Sequence, residues 1–499
     1  MEIELKLVCT QDALGLFESK MLDIFASENI SVSRQHAHLY NEYYDTPELF
    51  LGSRKIGFRV RAKDNQYEQT IKTRGQVEGG LHQRPEYNIP LSDNKPDLSK
   101  FNPEIWPQDF DLQYINESIE SLFSTDFERT TFELTHKDYK MEVVFDLGEV
   151  KHRQNSLPIC EIELELVEGD KRHLFNVAEL MVNYIPCRLS DVTKAARGYQ
   201  LYQANILELK RLPKYLPLTG DDSTEEAFCK LLQMCLKRWQ YNQYVYAEQL
   251  SLKVLQEIRN DIQHILQGVA LFLPVLQCQE LLTLHKLLLK LSQAWAWQEQ
   301  LQGLRDLRSK KGPFSKRIPK NQNLMNYLLG RREGLLNAYK PLDLNLSSLS
   351  AKVQLSASRV LLEKPWRNEN SGANIAVKKH ASGWLSQSWQ TMLQSMSRHT
   401  SLDDKQYLAL EVMLRQALIN GFILADLFTE SRGQFRAPWQ DLHTGIQELK
   451  ALRLLRDSLD DIPDEDRADL ANWIEDKTHS VIKVMEQTRK VAMDAEIYW

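Results

Sequence analysis

The spacing of apolar residues changes once along this chain, near residue 205, and the change predicts two regions of different secondary structure. Before it, apolar and polar residues alternate, the period of a strand with two unlike faces. Alternation marks residues 1–8, 56–62, 66–73, 84–91, 130–136, 140–147 and 158–167. Asp64-Asn65 separates two of these runs, and residues 75–80, with Gly75 and Gly80, mark a longer hairpin loop. Helical spacing is confined to residues 12–28 and 173–184, and residues 92–113, rich in Pro, Asp and Asn, read as an irregular insertion. Many short antiparallel strands with turns between them predict a barrel or a sandwich.

After the change, helix-spaced Leu, Ile and Trp fill residues 227–249, 255–273, 281–301, 324–339, 346–362, 402–428, 442–459 and 466–492. Helices of this length with short polar loops predict one long bundle or two stacked ones. Pro213 and Pro217 mark the stretch between the regions. The expected organisation is a strand-rich domain at 1–203, a linker at 204–222 and a helical domain at 223–499. Trp239, Trp295, Trp297, Trp384 and Trp389 are expected in the helical core.

The formal charge of −6 argues against a dedicated nucleic-acid binder, so an anion site must be a local concentration of Lys and Arg. The N-terminus is charged and alternating, unlike a secretory signal, and the apolar stretch at 268–276 is too short to cross a bilayer. The six cysteines form no C-x-x-C pair, which fits reduced thiols. These features predict a cytoplasmic protein without nucleic-acid or membrane partners.

The charges on the strands carry the chemistry. Glu2, Glu4 and Lys6 share one face of the first strand. Two carboxylates ~7 Å apart at an effective dielectric of ~20 repel by roughly 2 kcal/mol, so a buried face needs cations to hold them. Lys6 is one, and a divalent ion suited to oxygen ligands, magnesium or manganese, would be another. Arg59 and Arg61 share a face, as do Glu68, Thr70 and Lys72. Glu142 and Asp146 share another, and so do Glu161, Glu163 and Glu165. A wet outer face explains any one of these strands. A closed barrel with a charged interior explains the set, with acidic strands holding metal and basic strands a polyanion.

The same residues resemble a known family. E-x-E-x-K at Glu2, Glu4 and Lys6 is similar to the hallmark of CYTH domains, the triphosphate tunnel metalloenzymes. Matching segments follow in order: Tyr43-Tyr44-Asp45-Thr46-Pro47, Phe58-Arg59-Val60-Arg61, Thr70-Ile71-Lys72, Arg84-Pro85-Glu86-Tyr87 and Phe127-Glu128-Arg129. Asp146-Leu147-Gly148-Glu149-Val150, Glu161-Ile162-Glu163-Leu164-Glu165 and Lys194-Ala195-Ala196-Arg197-Gly198-Tyr199 complete the series. With its helical second half, the chain resembles bacterial CYTH–CHAD inorganic triphosphatases, and residues 79–87 resemble the enterobacterial type.

The resemblance implies an α+β fold: an eight-stranded antiparallel β-barrel, or tunnel, with flanking helices, then an all-α, CHAD-like bundle. It implies hydrolysis of inorganic triphosphate to pyrophosphate and phosphate. Lys6, Arg59, Arg61, Lys72, Arg129, Lys194 and Arg197 are expected to grip phosphate oxygens. Glu2, Glu4, Glu163 and Glu165 are expected to hold Mg2+, with Mn2+ as the alternative and with Asp146 and Glu161 as additional acids. Lys6, Tyr43 and Glu165 are expected in catalysis, Glu86 is expected to orient Arg or Lys, and only one of Tyr43 and Tyr44 can face inward. Other readings are hydrolysis of a nucleoside or thiamine triphosphate, adenylyl cyclisation, or a non-catalytic polyphosphate scaffold. In the helical half, Arg259, His264, the basic stretch from Arg305 to Arg317 and Arg331-Arg332 are candidates for polyphosphate contact, a solvated loop being the alternative for the last two.

Overall fold

The computed structural model describes all residues except 79, 108–109, 369–371, 397–398, 429–431 and 462–463, so Gly79 of the expected hairpin loop lies outside the description. The chain forms two compact units. The first contains Met1–Lys210, Leu236–Ser251 and Leu342–Lys364, and the second contains Arg211–Cys235, Leu252–Pro341 and Pro365–Trp499. The division therefore does not follow a single linker. Two stretches of the helical half belong with the strands.

The strands of the first unit are β1 (Glu2–Cys9), β2 (Ser31–Asp45), β3 (Gly57–Lys63), β4 (Gln66–Lys72), β5 (Gln76–Glu78) and β6 (Leu81–Arg84). They continue as β7 (Glu86–Leu91), β8 (Glu120–His136), β9 (Tyr139–His152), β10 (Asn155–Glu168) and β11 (Cys187–Leu189). They form one antiparallel sheet in the order β5-β6-β1-β10-β9-β8-β2-β3-β4-β7, with β11 also on β1. Its two ends meet, because β6 and β7 are one extended segment broken only by Pro85. β6 pairs with β1, and β7 pairs with β4. Proline has no N–H for a ladder, so the segment changes partner there. Counted as one strand, β6–β7 closes a ring of eight, the expected barrel; counting β6 and β7 separately and adding the short β5 and β11 gives the eleven strands of the sheet.

The barrel is apolar outside and charged inside. Leu5 and Leu7 of β1 and Ile162 and Leu164 of β10 point outward. They pack against Phe17, Met21 and Phe25 of α1 (Ala13–Ser27) and Leu174, Phe175 and Met181 of the helix Arg172–Met181. Ala351 and Leu355, from the helix Ser348–Glu363, join this core. A buried Leu such as Leu355 contributes about 1.5–3 kcal/mol by leaving water, and this packing ties that helix to the first unit. The insertion at 92–113 is less irregular than expected. Leu98 and Phe101 from it, with Ile115 just after it, cover Phe58, Val60 and Ile71 on another outer face.

Two elements carry no alternation in the sequence. The first part of β2 exposes residues on both sides of the strand, including Ser31, Ser33, Arg34, Gln35, His36 and His38, so its register comes from β8. β8 also begins at Glu120, ten residues before the alternation does. The cysteines are less scattered than the sequence suggests, since Cys9 and Cys160 Sγ lie 3.8 Å apart across β1 and β10.

The second unit is helical. Its main helices are Leu252–Leu276, Gln279–Ala294, Gln298–Arg308, Gln322–Tyr339, Lys378–Gln394, Asp404–Leu424, Arg432–Arg456 and Asp464–Asp494. The run expected at 281–301 is two helices, parted at Trp295–Trp297, and the helix Lys378–Gln394 was not legible in the spacing. Trp295, Trp297 and Trp389 are buried, Trp384 is half-buried, and Trp239 is buried in the first unit. One described segment, Asp404–Leu427, is long and apolar enough to cross a bilayer, a longer apolar stretch than 268–276. It is 61% buried inside the structure, as a core helix would be.

The helix Lys194–Tyr202 meets the barrel through Gly198. A Cβ there would stand 2.0 Å from the Phe123 ring. Gly198→Ala should therefore destabilise the protein by about 1–3 kcal/mol, read as a lower denaturation midpoint in urea.

Candidate active site

The inner face of the barrel bounds a cavity of about 1310 Å³. Alternation delivers its charged lining, with Glu2, Glu4 and Lys6 inward on β1 between outward apolar neighbours. Glu163 and Glu165 come from β10, Arg59 and Arg61 from β3, Lys72 from β4 and Arg129 from β8. Lys194 enters from the first turn of Lys194–Tyr202, whose N-terminus is capped by the Thr193 hydroxyl accepting from Ala196 N–H. Tyr43 lines the cavity and stacks on Phe123, ring centroids 4.7 Å apart. Tyr44 turns outward into the core with Leu51 and Phe58 and donates from its hydroxyl to Glu42. The register shift between Tyr43 and Tyr44 accompanies this divergence.

A buried ion network lies along β10. Lys6 pairs with Glu161 at 3.2 Å and with Glu163. Lys194 pairs with Asp146 at 2.6 Å, Glu163 at 3.1 Å and Glu161. Arg129 grips Asp146 with two nitrogens, at 2.7 and 2.6 Å, and reaches Glu163 at 3.0 Å. Arg197 binds Glu161 and donates to the Pro158 carbonyl at 2.8 Å. Against the cost of burial, Lys194, Lys6 and Arg197 hold the Glu161 carboxyl down at about 2.

Beyond this network the two signs of charge separate. On one wall Glu4 stands opposite Glu165 in the β1–β10 register, with Glu2 next on the same face. Glu2 is held by Lys72 at 2.6 Å, but neither Glu4 nor Glu165 has an ion pair among the described residues. Burial, and then the charge of Glu2, push Glu165 up to about 7. Burial also raises Glu2, with Glu4 and Glu86 adding to it. This wall is short of positive charge, and its donors are all carboxylate oxygens, so it fits a hard divalent cation.

The opposite wall is short of negative charge. Burial, then Arg59 and Arg129, push the Arg61 guanidinium down to about 9. Arg59 Nε is buried without a hydrogen-bond acceptor. Lys72 and Arg59 hold Glu86 at about 2 despite its burial, at 3.1 and 3.7 Å from its carboxylate.

Most residues expected from the sequence meet at this cavity: Glu2, Glu4, Lys6, Tyr43, Arg59, Arg61, Lys72, Arg129, Glu163, Glu165 and Lys194. Asp146, Glu161 and Arg197 do not line it. Their side chains are buried within the ion network, Asp146 and Glu161 only 2% and 1% exposed. Oxygens of Asp146, Glu161 and Glu163 fall within 4.8 Å of one another, close enough for an ion, but lysine and arginine already bond the carboxylates. Sequence reasoning missed Asn88 and gave Arg84 no role, though both line the cavity with Glu86. Their i, i+2, i+4 spacing was the available signal.

In the second unit, Arg259, Arg415 and Lys450 converge on Glu299, and Lys450, Arg415 and His443 also reach Glu411. Two acids there answer three cations, Arg259, Arg415 and Lys450. Arg317 pairs with Asp469, and Arg331 donates to the Ser458 hydroxyl.

Glu161→Gln would leave three cations facing one fewer charge, which costs about 3–5 kcal/mol for a broken buried pair, measurable by equilibrium denaturation. The folded pKa of Glu161 lies below its ordinary value near 4.5. Its contribution is thus complete above pH 4.5 and is lost as pH falls from there toward 2. Wild-type Tm should drop across that window, and Glu161→Gln should flatten the drop.

A family model for the CYTH domain matches residues 1–199. An inorganic triphosphatase of Haemophilus influenzae is 34% identical over 238 residues, 47% of this chain and 65% of that protein. The chain thus aligns with a little under two thirds of that relative's length. Among solved structures, the CHAD domain of the plant Ricinus communis is 14% identical, covering 57% of this chain and 94% of that one, with a TM-score of 0.42. A putative adenylyl cyclase from Hippeastrum, described as having a dominant triphosphatase activity, is 17% identical, covering 42% and 98%, with a TM-score of 0.31. The E-x-E-x-K strand and charged barrel thus lie within residues 1–199, the stretch that matches the CYTH domain family model.

Proposed function

We infer that this chain hydrolyses inorganic triphosphate to pyrophosphate and phosphate inside the barrel, with a divalent metal ion. The observation that carries this reading is the separation of charge in one cavity: among the described residues Glu4 and Glu165 have no ion pair on one wall, and Arg61 has none on the other. A linear polyanion with its metal ion supplies both missing charges. The 34% identity to an inorganic triphosphatase supports the same substrate.

Phosphoryl transfer to water needs positioning and charge neutralisation more than covalent groups. Arg59, Arg61, Arg129 and Lys72 bind the phosphate oxygens, and the ion network behind them fixes Arg129 and Lys194 in place. Glu2, Glu4 and Glu165 would hold Mg2+ or Mn2+, which when bound would neutralise charge on the phosphate oxygens, while Glu163 stays bonded to Lys6, Arg129 and Lys194. Lys6 and Tyr43 position the reacting phosphoryl group. Glu165 holds a proton of the attacking water. As the new P–O bond forms, the bridging P–O bond breaks and pyrophosphate leaves.

Glu4→Gln keeps the shape of the strand and removes one charge. It should lower magnesium-dependent phosphate release from triphosphate by on the order of a hundredfold, in the range of removing one electrostatic group. Full activity in this variant would overturn the assignment. Magnesium should also raise the wild-type Tm, since a ligand of the folded state stabilises it. Glu4→Gln should shrink that shift, a readout independent of turnover.

A further inference from the structure

The cavity does not end where the residues matching the CYTH domain end. Its lining continues past residue 199 through Gln203, Asn205, Glu208 and Lys210, and then includes Lys237 and Tyr241 from the helix Thr224–Gln249. All of these belong to the first compact unit.

The segment that carries Lys210 is fixed in place. Lys210 N–H donates to Asn242 Oδ1 at 3.0 Å, and its carbonyl accepts from Asn242 Nδ2 and Arg238 Nη2, both at 3.0 Å. Asn242 and Arg238 are buried, 0% and 6% exposed. One turn on, the Tyr244 hydroxyl donates to Gln200 Oε1 at 2.6 Å. What reads in the sequence as linker is thus bolted to a helix, and two lysines meet at one end of the cavity.

Their charges are not matched. Neither ammonium has an ion pair among the described residues, whereas most cations deeper in the barrel do. The Lys210 ammonium lies 3.7 Å from the centre of the Tyr241 ring, which occupies that aromatic face. Burial, and then Lys237, depress the Lys210 pKa. The acid facing both is Asp191, whose Oδ1 is buried without a hydrogen-bond donor. Asp191 is the carboxylate whose charge both ammonium groups meet, and Glu208 lines the same end near Tyr241. The cavity, at about 1310 Å³, is also larger than the roughly 300–1,000 Å³ of pockets for drug-sized ligands. A triphosphate is smaller than such ligands.

We propose that Lys210 and Lys237 form a subsite for the far phosphoryl groups of linear oligophosphates longer than triphosphate, whose reacting end lies among Arg59, Arg61 and Arg129. The inference rests on the barrel being a phosphoanhydride hydrolase and names its substrate class as short linear oligophosphates. The reaction is the same: water adds across one anhydride bond, and the shortened chain leaves with the bridging oxygen.

The test compares kcat/KM for linear tetraphosphate and triphosphate in the full chain, in wild type, K210Q/K237Q and K210R/K237R. The ratio of tetraphosphate to triphosphate should fall about tenfold in the glutamine variant and return in the arginine variant, which restores charge. A ratio unchanged in the glutamine variant would overturn the subsite, and so would a fall not restored by arginine. Tetraphosphate binding to each variant, measured by calorimetry without divalent metal, separates the two ideas. Weaker binding in K210Q/K237Q alone, with no turnover of triphosphate by wild type, would sustain the subsite and sink the hydrolase reading. Equal binding by all three proteins would remove the subsite.

Discussion

The arrangement depends on two buried glutamates, Glu161 and Glu163, on one face of β10. Side by side they would repel, and each would be costly away from water. Four cations from three other elements answer them: Lys6 from β1, Arg129 from β8, and Lys194 and Arg197 from the helix Lys194–Tyr202. Such a network is weak evidence for net stability, because desolvation offsets much of the attraction. Its value is geometric. It allows few alternatives for where those elements sit, and it fixes the shared wall of the cavity.

A charged interior is tolerable only because the apolar surface is elsewhere. The barrel is turned relative to an ordinary one, with Leu and Phe outside under helices and insertion, and Glu, Lys and Arg inside. The outer packing supplies the hydrophobic stabilisation that lets the inner face be selected for chemistry. Gly198 shows the tightness of this coupling, since the helix that delivers Lys194 contacts Phe123, whose other neighbour is Tyr43.

Much of the site was legible before any coordinates. Arg59 and Arg61, Glu163 and Glu165, and Glu2, Glu4 and Lys6 each face together because the period of a strand is two. Other parts were not. β2 shows no alternation where both its sides are exposed, and it is positioned by pairing with β8. Asp146, Glu161 and Arg197 carry the right charges, yet they are buried against one another and Lys194, and spacing cannot distinguish a charge that lines a cavity from one that braces it. Lys210 and Lys237 were hidden because one falls in an apparent linker and the other in a helix of the other half of the sequence.

The sequence by itself determined that Glu2, Glu4 and Lys6 share a face, since alternation is a local consequence of backbone geometry. Only the tertiary structure decided what that face meets. Glu4 stands opposite Glu165 and Lys6 reaches Glu161, 155 residues away. Those pairings follow from strand order, register and closure of the ring through Pro85, which depend on packing along the whole unit and leave no trace in the spacing of any one strand.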